Sequence, residues 1–357
     1  MPVRLAIVGL GKMGLSHLSM IRVHPDVEVV GACDASKFLL DILGTHMGVP
    51  VFTDYELMLR EAKPDAVVIA TPSRFHANMV RFALEQGMHV FCEKPFCLNW
   101  AESTALSSLA ESKGLVNQIG YHYRFVAAFQ EVKRLLDMGA IGTVSHVLAE
   151  AYGPVVLRPK GMSWRSKRDE GGGCLYDYAA HPVNLLNWFF GAAQSVGGTV
   201  INSIFSKDID DEAYSTIRFA AGPSAQLSVN WSDESYRKMT VKVSAWGSEG
   251  RIQADRQECQ VYLRKNAKLP PGYVSGWNVR YTTELTQPVW FYLRGEEYSA
   301  QLDYFIKCII TSQRMNENSF ASAAQTDQAL LMMREDASAI QTKAPAVQPR
   351  RKSLFRR

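Results

Sequence analysis

The sequence has few cysteines and no long apolar run. Six cysteines are scattered over 357 residues without a Cys-X-X-Cys pair, which argues against both a disulfide framework and a cysteine zinc site. Such cysteines are typical of reduced, mostly buried thiols in a cytoplasmic protein. No apolar window reaches the length of about eighteen residues that a transmembrane helix needs. The first predicted strand begins so early that no signal peptide is expected.

Other absences narrow the possible partners. The spacing of histidine and acidic residues matches neither a zinc triad nor a calcium loop, so no metal is expected. The net charge is +4, but residues 341–357 alone carry six Lys or Arg and no acidic residue. This composition predicts a disordered basic tail over residues 343–357, with contact to a neighbouring subunit or an anionic surface as the alternative. The rest of the chain has no basic face interleaved with aromatic residues, so neither a nucleic-acid nor a membrane partner is expected.

A glycine-rich motif follows the first apolar segment. Residues 4–8 predict a buried parallel strand, and the residues after the motif have a helical pattern. In a dinucleotide fold, the first glycine permits the tight turn, the second admits a pyrophosphate and the third lets the helix pack on the strand. The free N–H groups at the helix N-terminus attract the phosphates. The motif predicts cofactor contacts by Gly9, Gly11, Lys12, Met13 and Gly14.

An acidic residue follows the second predicted strand at the spacing expected of a dinucleotide fold. Asp34 lies twenty residues beyond Gly14, directly after residues 27–33, where a carboxylate binds the adenosine ribose hydroxyl groups. The same carboxylate would repel a 2′-phosphate. The cofactor is therefore predicted to be NAD rather than NADP, although Lys37 nearby could weaken this preference.

Apolar strands and helical segments alternate through the first third of the chain. Residues 66–70 and 89–92 are further apolar strands, and the alternation predicts a doubly wound parallel sheet in a domain of residues 1–121. In such a sheet ligands bind beyond the carboxyl ends of the strands. Thr71 and Lys94 follow these two strands, so both are expected at the mouth of the cofactor site.

Beyond residue 122 the pattern changes to strands joined by turns. Alternating segments punctuated by Gly-Pro, Ser-Asp and Gly-Ser-Glu-Gly predict a second α/β domain, residues 122–342, with an open and largely antiparallel mixed sheet. Residues 268–293 are too apolar for a linker and are expected to form a lid or a subunit contact. Because an open sheet usually buries its uncovered face against another copy, we expect a homodimer or homotetramer.

Two motifs carry side chains suited to the oxidation of an alcohol. Lys94 belongs to Glu-Lys-Pro at the end of a predicted strand, and GGGCLYDYAAH spans residues 171–181. Asp177 and His181 stand four residues apart in it, a spacing that places both on one face of a helix. Together with the dinucleotide motif, they predict a hydride-transfer enzyme with a Lys/Asp/His active site.

The chemistry assigns each of these side chains a part. Oxidation of an alcohol removes the hydroxyl proton while a hydride leaves the carbon. His181 suits the proton role because an unperturbed imidazole has a pKa of about 6.5. Lys94 can donate a hydrogen bond to the same oxygen, and Asp177 can hold a neighbouring hydroxyl group and favour the protonated imidazole. Whether Lys94 or His181 takes the proton first stays open, with Tyr121 and Tyr123 as further candidates.

Six motifs taken in order resemble a known family. They are GLGKMG with Asp34, TPSRFH, CEKP, GYHYRF, the pair Trp164-Arg165, and GGGCLYDYAAH. Over most of the chain, about residues 3–340, they resemble the glucose–fructose oxidoreductase/inositol dehydrogenase (Gfo/Idh/MocA) family. The resemblance implies a Rossmann domain joined to an α/β domain with an open mixed sheet. It also implies NAD-dependent oxidation or reduction of a secondary alcohol on a sugar, an inositol or a nucleotide sugar.

The resemblance implies roles for individual residues. The catalytic residues would be Lys94, Asp177 and His181. Contacts on the nicotinamide side of the cofactor would come from Thr71, Pro72, His76, Glu93, Lys94, Trp164 and Arg165. Substrate contacts would come from Tyr121, Tyr123 and Arg124 beside the three catalytic residues. The peptide bond before Pro95 is expected to be cis.

Several alternatives stay open. One is an enzyme that retains NAD and performs net hydrolysis or epimerisation through a transient ketone, and another is a non-catalytic dinucleotide sensor. Individual residues also have purely structural interpretations. His76 could sit in the first turn of its helix, Arg124 could pair with a structural carboxylate, and Trp164-Arg165 could combine packing with a surface charge. His17, His24 and His46 are expected to be surface or packing residues.

Overall fold

The computed structural model describes residues 1–157, 164–220, 222–314 and 316–343. The predicted basic tail lies outside the described residues except for its first residue. Within the described ranges, no helix combines the length and apolar character that crossing a membrane requires.

The first part of the chain forms a six-stranded sheet in which all neighbouring strands are parallel. Its strands are β1 (Val3–Val8), β2 (Val27–Cys33), β3 (Val51–Phe52), β4 (Ala66–Ile69), β5 (His89–Cys92) and β6 (Asn117–Ile119). Their spatial order is β3-β2-β1-β4-β5-β6, which is that of a doubly wound fold. Every residue of β4 is buried, because helices cover both faces of such a sheet. The predicted parallel sheet is confirmed.

Five helices connect these strands. They are α1 (Lys12–Ile21), α2 (Lys37–Met47), α3 (Tyr55–Ala62), α4 (His76–Glu85) and α5 (Trp100–Ser112). Asp54 caps α3 by accepting from the Leu57 amide at 2.7 Å, a role that a short acidic side chain fills well. By contrast, the N-cap residue of α1 is Gly11, which has no side chain to bond the amide groups of the first turn. The amide groups at that end of α1 are therefore open to a ligand.

The second sheet has eight strands and is mostly antiparallel. Its strands are β7 (Val144–Tyr152), β8 (Ala193–Asn202), β9 (Glu212–Phe219), β10 (Ser224–Asn230), β11 (Thr240–Gly247), β12 (Gly250–Ala254), β13 (Glu258–Leu263) and β14 (Gly276–Tyr281). Their order is β14-β13-β12-β11-β7-β10-β9-β8, and among the described pairs only β7 with β10 is parallel. Buried and half-exposed residues alternate along β7 and β9, as expected where one face carries the core. The predicted mixed sheet is confirmed.

The remaining helices pack on both sheets. They are α6 (Ala127–Asp137), α7 (Ala180–Phe190), α8 (Thr282–Leu285), α9 (Glu296–Ile310) and α10 (Phe320–Lys343). α6 and α7 cover the core face of the second sheet, whereas α10 packs against α5, α7 and β8. α9 returns to the first sheet, where Phe305 lies 5.9 Å from Phe91 of β5 between ring centroids. The end of the chain thereby ties the two sheets together.

Residues 268–293 contribute to both halves of the molecule. Their middle part is β14, the edge strand of the second sheet. Further on, Trp290 and Phe291 pack against the core on the α1 side of the first sheet. The indole N–H of Trp290 donates to the carbonyl of Met20 at 3.3 Å. The segment is therefore an edge strand followed by a strap, and its expected part in a subunit contact stays a prediction.

The glycine-rich turn between β1 and α1 depends on one close approach. A Cβ atom on Gly14 would overlap the main-chain oxygen of Gly9, whereas no described atom lies within 4 Å of the Cβ position of Gly11. Gly9 itself has φ +87°, a conformation in which glycine is favoured. Gly14 is therefore needed by the fold, and Gly11 leaves open space beside the start of α1.

We expect Gly14→Ala to lower the free energy of unfolding by about 3 kcal/mol, because the turn must open to admit the methyl group. Gly11→Ala is the matched control and should lower it by about 1 kcal/mol or less, while filling the space next to the helix N-terminus. Urea denaturation of both variants measures this. Equal stability of the two variants would contradict the packing described for Gly14.

Candidate active site

An ion pair joins the carboxyl end of β5 to the helical segment that precedes α7. The Lys94 ammonium donates to Asp177 Oδ1 at 2.9 Å and to the main-chain oxygen of Asp177 at 3.0 Å. The Lys94–Pro95 peptide bond is cis, as the resemblance implies. The Asp177 side chain is 2% exposed and that of Lys94 is 14% exposed. The two predicted catalytic residues are therefore in direct contact and largely shielded from solvent.

The main chain around Asp177 departs from an ordinary α-helix. Residues Leu175–Ala179 form a π-helical turn, in which a carbonyl bonds to the amide five residues later. For Asp177 that partner would be residue 182, which is Pro182 and has no N–H to donate. The carbonyl of Asp177 instead accepts the Lys94 ammonium. The local sequence thus provides a second acceptor for the lysine.

Arg165 is the second cation on Asp177. Its Nε donates to Asp177 Oδ2 at 2.7 Å, and its guanidinium lies 4.7 Å from the centre of the Trp164 ring. Burial alone would raise the pKa of the Asp177 carboxyl, but the charges and hydrogen bonds of Lys94 and Arg165 hold that pKa below its usual value. Asp177 is therefore ionised and held from both sides. The structure places the pair Trp164-Arg165 at the predicted catalytic residues.

His181 lies one turn beyond Asp177, in an aromatic surrounding. Its ring meets those of Tyr123, His122 and Tyr121 edge-on, with centroids 5.0, 5.2 and 6.0 Å apart. Burial lowers the pKa of His181 well below its ordinary value, and the nearby charges of Lys94 and His122 lower it further. The imidazole is therefore neutral near neutral pH, and its Nδ1 has no hydrogen-bond partner among the described residues.

The two tyrosines considered as alternative proton acceptors are buried. Tyr121 is 1% exposed and Tyr123 is 3% exposed. Burial raises the pKa of both phenols above the ordinary value, so neither forms a phenolate readily. Their rings form the wall against which His181 packs.

Arg124 braces the helices behind the site. It is 3% exposed, and its Nε and one terminal nitrogen donate to the side-chain and main-chain oxygens of Asn184 at 2.7 and 3.2 Å. The other terminal nitrogen donates to the carbonyl of Glu317, and Asn184 in turn donates to Thr326 Oγ1 at 3.0 Å. Burial lowers the pKa of Arg124 to about 10. The partners are amide and main-chain oxygens rather than the structural carboxylate considered from the sequence.

The predicted dinucleotide residues lie together at the carboxyl ends of β1 and β2. The Asp34 carboxylate accepts the amide of Leu10 at 2.6 Å and that of Ser36 at 2.8 Å, which holds it beside the glycine turn. Lys12 and Met13 occupy the first positions of α1. An uncapped helix start, open space at Gly11 and a carboxylate at the end of β2 fit a dinucleotide.

The ends of β4 and β5 are held together by His76. This residue is 1% exposed, and its two ring nitrogens lie 2.9 Å from the main-chain oxygens of Pro95 and Thr71. Thr71 and Pro72 begin one residue after the end of β4; Thr71 is half-buried and Pro72 is exposed. His76 therefore fixes the spacing between the two strand ends that carry the predicted nicotinamide contacts.

His17, which was predicted to be a surface or packing residue, belongs to this region and has an acidic partner. It is fully buried, and its Nε2 lies 2.6 Å from Glu93 Oε1. Burial would raise the pKa of Glu93, but the hydrogen bond to His17 and the charges of Lys94 and His122 lower it. The available signal was spacing, because His17 stands three residues after Gly14 and so shares its sheet-facing side of α1.

Comparison with known proteins identifies relatives over most of the chain. It is 28% identical to the scyllo-inositol 2-dehydrogenase (NAD(+)) of Bacillus subtilis (strain 168), over 70% of this chain and 73% of that protein. It is 26% identical to the D-glucoside 3-dehydrogenase of Escherichia coli (strain K12), over 75% and 81% of the two chains. Levoglucosan dehydrogenase in complex with NADH and levoglucosan shares the fold, with a TM-score of 0.84, 22% identity and coverage of 95% and 98%.

Two family models match separate parts of the chain. Residues 3–121 match the oxidoreductase family with an NAD-binding Rossmann fold. Residues 129–253 match the GFO/IDH/MocA C-terminal domain. Together they cover more than half of the sequence, in the order in which the two sheets occur. The chain therefore belongs to the GFO/IDH/MocA oxidoreductase family and carries its NAD-binding Rossmann fold.

Proposed function

We propose that this chain transfers a hydride between NAD and a secondary alcohol of a sugar, an inositol or a nucleotide sugar. The observation that carries the proposal is the cleft in which Lys94, held on a buried Asp177, lies beside a neutral His181. This combination can donate to a hydroxyl oxygen and accept its proton. The names of two relatives, an inositol dehydrogenase and a glucoside dehydrogenase, support the substrate class.

Residues on the first sheet would hold the cofactor. NAD supplies a hydride acceptor when it is bound, and NADH supplies the hydride in the reverse direction. We assign the pyrophosphate to the glycine turn, the ribose to Asp34 and the nicotinamide to the ends of β4 and β5. The residues proposed for these contacts are Gly9, Gly11, Lys12, Met13, Gly14, Asp34, Thr71, Pro72, His76, Glu93, Lys94, Trp164 and Arg165. The second domain, residues 122–342, would hold the substrate together with Tyr121 and Lys94.

In the proposed oxidation, His181 takes the hydroxyl proton at a ring nitrogen. The Lys94 ammonium donates to the same oxygen and lowers the free energy of the negative charge that develops there. Lys94 already donates to two oxygens of Asp177, so the geometry gives it the part of a hydrogen-bond donor. We therefore favour His181 over Lys94 as the proton acceptor. In the reverse direction the imidazolium returns the proton to the carbonyl oxygen.

The test of this function is a substrate panel. Purified protein is mixed with NAD and with inositols, simple sugars, glycosides and UDP-sugars, and the near-ultraviolet absorbance of NADH is followed. Growth of the signal with one class establishes a dehydrogenase. A flat response from protein that releases NAD on denaturation would favour an enzyme that retains NAD through net hydrolysis or epimerisation, or a sensor.

Lys94→Met should lower turnover about 100-fold or more, because the donor to the reacting oxygen is lost, while NAD binding stays within about twofold. The same variant should raise the pKa of His181 toward its ordinary value, since one of the charges that lower it is removed. Histidine NMR titration measures the second effect. Lys133→Met is the matched control, because Lys133 pairs with Asp137 on the surface of α6. Unchanged turnover in Lys94→Met would remove Lys94 from the mechanism.

Asp34→Asn should weaken NAD binding about tenfold and bring the affinity for NADP closer to that for NAD. The amide oxygen can still accept from Leu10, so the variant removes the charge and the bond to the Ser36 amide while the glycine turn keeps its hydrogen bond. Asp34→Ala, which also removes the bond, should add a loss of stability. Calorimetric titration with each dinucleotide decides the matter. A preference for NADP in the unaltered protein would contradict the role given to Asp34.

We further propose that a second copy of the chain covers the open face of the second sheet. Strand register places His146, Trp246, Arg251, Tyr262 and Trp277 side by side across five strands of that face. Trp277 is 56% exposed and Tyr262 is 41% exposed, and their ring centroids are 5.4 Å apart. A monomeric protein rarely leaves a row with such exposed aromatic side chains uncovered. A symmetric dimer is the commonest assembly that buries one.

Trp277→Glu should shift the protein from a dimer or tetramer toward monomer, because a charge would be buried in the centre of the contact. Leu57→Glu is the control, since Leu57 is 46% exposed but lies on α3, beside the first sheet. Sedimentation velocity over a range of concentrations measures both. A wild-type chain that is already monomeric would refute this interface.

We also assign the protein to the cytoplasm. All six cysteines are free and buried, which suits a reducing compartment. Antibody detection in fractionated cells tests the assignment.

A further inference from the structure

The helical segment that carries Asp177 begins against the loop between β8 and β9. The main-chain oxygen of Asp210 accepts the amide of Cys174 at 2.9 Å. The Asp210 carboxylate accepts the amide of Leu175 at 2.7 Å through Oδ2. Amide groups in the first turn of a helix have no partner within the helix. Asp210 therefore caps this segment from a distant part of the chain.

The Asp210 carboxylate is also fitted closely to the backbone that precedes the turn. Gly173 has φ +106°, and a Cβ atom placed on it would overlap Asp210 Oδ1. The carboxylate charge further raises the pKa of the buried Cys174 thiol, after burial itself. Asp210 thus contacts three consecutive residues, Gly173 to Leu175. The last of these lies two residues before Asp177.

The neighbouring aspartate has a different part. Asp211 is fully buried, and its carboxylate accepts the amides of Ile204, Phe205 and Ser206 at 2.8, 2.7 and 2.7 Å. These bonds close the β8–β9 loop on itself. Asp211 therefore holds the loop in one conformation. Asp210 bonds this loop to the start of the helical segment, so the loop conformation determines where that segment begins.

We propose that Asp210 is a positioning residue for the reaction. Its main-chain and side-chain hydrogen bonds fix the N-terminal end of the π-helical turn, whose first amide groups have no partner within the helix. The turn in turn sets the two Asp177 oxygens that hold Lys94 at 2.9 and 3.0 Å. A displacement of about 1 Å at such a contact can lower turnover by about 100-fold. This inference rests on the function proposed for Lys94 and Asp177.

Three variants separate positioning from stability. Asp210→Ala should lower kcat about tenfold to 100-fold while the Kd for NAD changes less than about twofold, because most of the proposed cofactor residues lie on the first sheet. Asp210→Asn should restore kcat to within about threefold, since its amide oxygen still accepts from Leu175. Asp211→Asn is the control, expected to lower the melting temperature while kcat stays within about twofold.

Two results would overturn the proposal. One is an Asp210→Ala variant with unchanged kcat, and the other is an Asp211→Asn variant whose kcat falls as far as that of Asp210→Ala. Crystal structures of wild type and Asp210→Ala make the test independent of turnover. If wild type is inactive on every substrate, the proposed function fails. The crystal structures then test the positioning role alone. The role is supported if Asp177 has moved away from Lys94 in the variant and is contradicted if it has not.

Discussion

The ion pair between Lys94 and Asp177 is the constraint on which the rest of the site depends. Lys94 belongs to the first sheet and Asp177 to the helical segment on the second, so the pair joins the two halves across the cleft. A buried pair stabilises a fold only when further hydrogen bonds satisfy both ions. Here Arg165 occupies the other carboxylate oxygen, and the carbonyl of Asp177 gives the ammonium a second acceptor. Removing Asp177 would therefore leave the Lys94 ammonium without an anionic partner, whereas removing Lys94 or Arg165 would leave the buried carboxylate with a single cation.

The same charges determine the protonation of the site. Asp177 stays ionised because two cations outweigh the effect of burial on its pKa. His181 stays neutral because burial and the Lys94 charge both lower its pKa. A charged donor and a neutral acceptor thus coexist in one small volume, which is the arrangement that the proposed proton transfer needs. The π-helical turn presents both the carboxylate and the carbonyl of Asp177 to the Lys94 ammonium.

Much of this architecture could be predicted from local pattern. Apolar strands alternating with helices indicated the parallel sheet, and period-two segments indicated the mixed sheet. The glycine motif with Asp34 indicated the dinucleotide site. Residues whose partners lie far along the chain could not be predicted in this way. His17 was expected on the surface or in packing, but it is buried against Glu93. Arg124 was considered as a partner of a carboxylate, but it bonds to Asn184 and the main chain.

Periodicity and short motifs in the sequence predict the two sheets, the glycine-rich turn and the identity of the side chains offered to the site. The tertiary structure alone decided which of those side chains touch. Lys94 meets Asp177 across 83 residues, and Asp210 caps a segment 35 residues earlier in the chain. Such contacts depend on how strands order themselves and how helices dock. Chain folding brings them together at distances that no local pattern encodes.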